Sequence, residues 1–281
     1  MKTFDLKRFS NALVWLAMTR FYDLLKFAIG FAIFFFFTFL WMGNVEPDQQ
    51  DYLLLYNSGV LSMVMTVLGF MLVFSGTFVT RDMRTNQERI SVLMLPVSNL
   101  EKFVSRCVFA LLSSLACLIV SVMAADVCQM VFRAVTGNHI VSMTWLLLLW
   151  QSKASVWGLF GHNFVVLVTL VSIFFCAHSF YVLGGTFFRR NQWLLTTAAC
   201  FIISNVMGWF FVMSGPSVFG PMMDGAANWF DKIATDNFDL ARALAFGCVN
   251  LFTWGLSALF YILAYKLFCR IQLKNTKWTN L

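Results

Sequence analysis

Three histidines, His139, His162 and His178, are the only imidazoles in the 281 residues, and they lie far apart. Hydrolysis of the HExxH kind needs two imidazoles one helical turn apart with a carboxylate beside them, and that spacing is absent. The seven cysteines, at 107, 117, 128, 176, 200, 248 and 269, form no C-x-x-C pair and are odd in number. That argues against a zinc site or a disulfide framework, and their place inside apolar runs makes them small core residues. A GxxxxGK[ST] loop is also missing, so the chain has no P-loop with which to bind ATP itself. No Ser/His/Asp or paired-carboxylate spacing is recognisable. The expectation is a protein that is not an enzyme and binds no cofactor or metal of its own.

Polar residues inside apolar runs are the better lead. A charged group at mid-bilayer costs about 2.5–3.5 kcal/mol on insertion scales and so needs a reason to be there. Asp126 stands near the end of one such run, with Arg133 seven residues on, two turns along the same helix face, as a candidate ion-pair partner. His178, Asn205 and Asn250 lie deeper in three later runs. Two roles are open to Asp126, His178, Asn205 and Asn250. One is interhelical hydrogen bonding that fixes packing, often worth only ~0.6 kcal/mol each; the other is the lining of a translocation path. Packing is the preferred expectation. Gly184 and Gly185 would let helices approach closely near the end of the fourth run.

These residues sit in a chain that is 60% hydrophobic and 12% charged, with mean hydropathy +0.76. A soluble domain is about half apolar and about a quarter charged. The chain is therefore expected to be an all-α integral membrane protein, one transmembrane domain over 1–281. About 20 apolar residues cross the hydrocarbon core, which places six spans near 25–43, 58–80, 107–132, 163–187, 193–213 and 243–265. The run TWLLLLW, 144–150, is too short to cross and is expected at the outer interface. Six spans with both termini inside put sixteen basic residues in and four out, whereas counting TWLLLLW as a seventh gives thirteen against seven. The positive-inside rule favours six. The net charge of +7 is then a property of the inner face, matched to anionic membrane lipid. It does not indicate nucleic acid, since no basic domain exists to bind it.

Residues 1–24 carry Leu6, Phe9, Leu13, Leu16 and Ala17 in one helical sector, with Lys7, Arg8 and Asn11 opposite. This pattern predicts a basic helix lying in the inner interface. A signal peptide fits less well, because the basic region is too long and no A-x-A site follows. The segment 214–242 opens with Gly215, Pro216, Gly220 and Pro221 and is acidic, as expected of an outer loop.

Between the second and third spans lies RDMRTNQERISVLMLPVSNLEKFVSR, 81–106, a long polar interval that is strongly basic. Thr85 with Glu88 and Ser98 with Glu101 both fit the S/T-x-x-E capping box, in which hydroxyl and carboxylate each satisfy a backbone N–H at a helix start. Pro96 pushes Leu95 out of the α region. The spacing predicts a short helix over 86–95, a turn at 96–97 and a second helix entering the membrane. Ile90, Leu93 and Met94 give the short helix an apolar stripe.

This segment resembles the one that follows the second span in bacterial ABC-2-type transporter permeases. The match rests on Leu93, Leu95, Pro96, Ser98, Glu101 and Lys102. LGGTFFRRNQWLLTT, 183–197, is similar to the turn between spans four and five in the same family. The resemblance implies a six-span permease subunit of an ABC exporter in the bacterial cytoplasmic (inner) membrane, with an N-terminal elbow helix and a cytoplasmic coupling helix. It implies a separate ABC ATPase that supplies ATP-driven closure, and a second copy or a paralogous permease as dimer partner. The residues it assigns to ATPase coupling are Glu88, Arg89, Ile90, Leu93, Leu95, Pro96, Ser98, Glu101 and Lys102. The alternative is a membrane-anchored structural or sensory protein that docks another cytoplasmic partner through the same helix.

Overall fold

The computed structural model describes residues 5–42, 50–83, 86–137, 164–188, 191–214, 225 and 238–270. Among the described residues seven α-helices follow one another: α1 (Leu6–Met42), α2 (Gln50–Ser75), α3 (Asn86–Leu93), α4 (Asn99–Thr136), α5 (Phe164–Phe187), α6 (Gln192–Ser214) and α7 (Phe238–Cys269). A 3-10 segment, Gly76–Met83, continues from α2. No strand occurs among the described residues. Six of the helices, all but α3, are long and apolar enough to cross a membrane. This is a multi-pass helical membrane protein, and the large apolar side chains exposed along α6, from Phe201 to Met213, suit a helix surrounded by hydrocarbon.

The chain divides into two compact units. The first, Met1–Val79 with Met94–His162, is built on α1 and α4. Asp5 meets Glu101, Leu24 meets Cys117, Ala28 meets Ser121 and Phe36 meets Phe132. Contact advances along both helices together, so they run parallel. Phe35, Phe39, Leu118, Val122 and Ala125 form the buried core, capped by Met63, Val64, Val67, Leu68 and Met71 of α2. Leu118, Val122 and Ala125 recur at the 3–4 spacing that stripes one helix face.

The N-terminal helix differs from the sequence expectation. α1 is one element of 37 residues with no break near residue 24, where an interfacial helix was to give way to the first span. Its buried face is also rotated: Ala12, Leu16 and Arg20 are buried, while Leu6 is 74% exposed. The physical reason is pairing. With α4 alongside from Asp5 onward, the face of α1 turned to α4 is selected, and the hydrophobic sector of the isolated helix is not. α4, at 38 residues, is about 57 Å long at ~1.5 Å per residue, roughly twice the hydrocarbon thickness. The uncharged stretch 107–125 can cross, leaving the turns with Glu101, Lys102 and Arg106 outside it.

The second unit, Thr80–Leu93 with Asn163–Leu281, rests on α5 and α7. Thr169 pairs with Asn250, Ser172 with Thr253, Ser179 with Ser257 and His178 with Tyr261, again advancing together. α5 and α7 are therefore also parallel. α6 packs on α5 where Gly184 faces Thr196; a Cβ at Gly184 would lie 2.1 Å from the Thr196 hydroxyl oxygen. The close approach expected at this glycine is present. Asn191 begins α6 at φ 47°, in the left-handed region that asparagine tolerates. Of the expected outer segments 133–162 and 214–242, residues 138–162, with the TWLLLLW run, and 215–224 and 226–237 lie outside the described residues, as do the tail 271–281 and Thr85 of the first capping box.

Candidate functional site

The segment between α2 and α4 is shared between the two units, and each bonds its own part. In the first unit, Arg20 Nη2 donates to the Phe78 carbonyl at 3.0 Å and Arg106 Nη1 to the Val79 carbonyl at 3.1 Å. Two guanidinium groups thus satisfy consecutive carbonyls beyond the end of α2, where backbone acceptors lack helical partners. Ser75 and Thr77 hydroxyls bond back to Leu72 and Phe74 carbonyls, which helps the α-helix tighten into 3-10 geometry after Gly76. In the second unit, the Thr80 hydroxyl donates to the Gly185 carbonyl. Gln192 Nε2 donates to Thr80 Oγ1 at 2.9 Å and to the Gly185 carbonyl at 3.0 Å. Thr80, Gly185 and Gln192 form a buried polar clamp that ties the approach to α3 to the turn between α5 and α6.

α3 itself spans Asn86–Leu93, two residues shorter than expected at its C-terminal end. Gln87, Glu88 and Ser91 are exposed, Ile90 is 45% exposed, and Met94 just beyond is 78% exposed. Val92 is buried, although it was outside the expected apolar stripe. Of Arg89 and Leu93 the structure describes the backbone only. After α3 the chain turns with a Val97 N–H to Leu95 carbonyl bond of 2.8 Å. Leu95 is half-buried and Pro96 exposed.

Ser98 caps α4 with extended geometry, φ −65° and ψ 155°. Its hydroxyl accepts from the Glu101 N–H at 3.3 Å, and its own N–H donates to Glu101 Oε2 at 2.8 Å. The capping box expected here is present. Its carboxylate does more than cap: Glu101 Oε1 also accepts from the Asp5 N–H at 2.7 Å and from Arg8 Nη2 at 3.2 Å. Three donors from two helices favour the ionised carboxylate. Glu101 and Lys102, expected among the coupling residues, are buried, at 0% and 7% exposure. Glu101 is buried where it joins the starts of α1 and α4 within the first unit.

The intramembrane polar residues fall into different surroundings. Asp126 is 3% exposed and accepts from Gln129 Nε2 at 3.0 Å, so a glutamine one turn on bonds its carboxylate, whereas Arg133 was the expected partner. His178 is buried, with Nδ1 2.6 Å from the Tyr261 hydroxyl. Asn250 Nδ2 donates to Thr169 Oγ1 at 2.9 Å. His178 and Asn250 thus share the α5–α7 seam, where Ser172, Ser179, Thr253 and Ser257 complete a ladder of hydroxyls. Asn205 is not brought to that seam: it is exposed on α6 and bonds its own helix at the Phe201 carbonyl. No cluster of three or more metal-ligating side chains occurs among the described residues.

Sequence reasoning did not find Thr80, Gln192, Arg106 or Tyr261. A signal for the seam was nonetheless readable: 250, 253, 257 and 261 are polar at steps of three, four and four, the spacing of one helix face. Comparison with protein-family models, with curated proteins and with solved structures found no match. The class of the protein, a multi-pass helical membrane protein with six candidate spans among the described residues, therefore stands on the fold and the hydropathy.

Proposed function

We propose that this chain is the membrane-spanning permease subunit of an ATP-driven ABC-type exporter, energised by a separate cytoplasmic ATPase that seats on α3. The observation that carries this reading is the exposure of Ile90 and Met94, two apolar side chains one turn apart at the end of a short polar helix. An eight-residue helix is marginal by itself. Here its N-terminal approach is tied within the second unit by the Thr80–Gln192 clamp. The family resemblance of 81–106 and 183–197 supplies the identity of the partner. The positive-inside count supports cytoplasmic termini in a bacterial cytoplasmic membrane. The parallel course of α1 and α4 agrees with first and third spans that cross in the same direction. A second copy or a paralogous permease completes the translocation unit.

The test is co-purification of the full-length protein with a candidate ABC ATPase. Ile90→Asp with Met94→Asp places carboxylates where apolar contact is expected, and burying them unpaired costs several kcal/mol. Complex recovery is expected to fall at least tenfold while helicity and melting stay unchanged. Undiminished recovery would overturn the coupling role of α3. Capture through α3 of a partner without ATPase activity would favour the structural or sensory reading.

A further inference from the structure

Thr80–Leu93 lies in sequence between two helices of the first unit, yet it packs into the second. Its polar anchor there is Thr80, buried against Gln192, which is buried as well. Both side chains converge on one acceptor, the Gly185 carbonyl in the last turn of α5. Carbonyls of a last turn lack helical partners. Here one receives a hydroxyl from the approach to α3 and an amide from the first residue of α6. One turn on, Thr196 faces Gly184 and bonds back to the Gln192 carbonyl at 2.6 Å. The residue that holds Thr80 thus opens the same helical turn that makes the close α5–α6 contact.

The donors and acceptors of this triangle match one for one. The amide gives one hydrogen to the Thr80 hydroxyl and one to the Gly185 carbonyl, and the hydroxyl gives its own to that carbonyl. Removing either side chain leaves a buried polar group without its partner, which costs more than the bond by itself contributes. The triangle is therefore complete or broken, with little between. α3 depends on it, because eight residues are too few for a stable helix alone. Coupling between two places in a protein is reciprocal, so whatever favours the closed triangle at α3 favours it at the α5–α6 turn.

We propose that Thr80 and Gln192 make α3 and the α5–α6 turn open and close together, with Gln192 as the positioning residue. A protein seated on α3 then acts on the ends of α5 and α6. That last step rests on the docking function proposed for α3; the coupling itself does not.

Hydrogen exchange of the full-length protein in detergent, read by mass spectrometry, tests the coupling without any partner. Gln192→Leu and, separately, Thr80→Val keep most of the side-chain bulk and remove the bonds. Each is expected to speed exchange about tenfold over both 86–93 and 183–197, because local opening becomes easier. Exchange in α1 and α4 should stay as in the wild type, whereas a general loss of stability would raise it too. Thr80→Ser keeps the hydroxyl and should leave both segments unchanged. Faster exchange in only one of the two segments would overturn the coupling, and so would no change in either. Should Gln192→Leu fail to fold, Thr80→Val at the other end of the same bond decides by the same readout. A candidate ABC ATPase added to the wild type should slow exchange over 86–93 and 183–197 together. Slowing over 86–93 alone would overturn transmission to the turn. Slowing in neither would count against docking on α3, while the variants without a partner still decide the coupling.

Discussion

Asp5 and Glu101 are 96 positions apart in the chain, and the Asp5 N–H donates to Glu101 Oε1 at 2.7 Å. One carboxylate therefore receives the first backbone donor ahead of α1 and, through its other oxygen, the N-cap donor of α4. Helix starts leave such N–H groups without partners, and here two starts share a single acceptor. The arrangement is possible because α1 and α4 are parallel, so their N-termini lie at the same end. It also sets where α4 begins, and with that the far boundary of the turn that follows α3.

Ser98→Ala removes the N-cap hydroxyl and should lower stability by about 1 kcal/mol. Glu101→Ala should lower it further, because it takes the acceptor from Ser98, Asp5 and Arg8 together. Thermal melting of the purified variants gives the order. A Glu101→Ala loss no larger than that of Ser98→Ala would mean the Asp5 and Arg8 contacts contribute nothing.

Gly184→Ala should destabilise by roughly 1–3 kcal/mol, the usual range for overpacking a tight contact. The added Cβ would lie 2.1 and 2.4 Å from the two outer atoms of Thr196 and 2.8 Å from its Cβ. Thr196→Ala in the same chain removes the two nearer atoms and should restore part of the loss. A Gly184→Ala protein that melts like the wild type would show that α5 and α6 are not so close.

His178→Phe and Tyr261→Phe each delete one side of a buried interhelical hydrogen bond. In membranes such bonds are worth ~0.6 kcal/mol on average and up to about 1.7. A double-mutant cycle on melting should return a coupling in that range, and Asn250→Leu should behave alike through Thr169. Under the proposed exporter function, ATP hydrolysis by the complex with its ATPase is expected to change little. Activity lost without any change in melting would instead make this seam a translocation path.

Whatever depends on residues within a turn or two of one another was legible in the sequence: six apolar runs of spanning length, the helix stop before Pro96, and the cap that Ser98 makes with Glu101 three residues on. Hydropathy and capping are local, so the neighbouring residues suffice to set them. The tertiary structure alone decided which face of each helix is covered. α1 is continuous and buries Ala12, Leu16 and Arg20 because α4 runs beside it. Glu101, legible as a cap and expected at a docking surface, is buried because Asp5 and Arg8 reach it from 96 and 93 positions away. His178 and Asn250 find Tyr261 and Thr169 across a parallel seam, while Asn205, equally polar and equally deep in its run, faces outward and bonds its own helix. Within an apolar run, composition cannot distinguish these fates. A polar side chain becomes interior or peripheral only when a second helix chooses a face, and that choice belongs to the packing of whole surfaces.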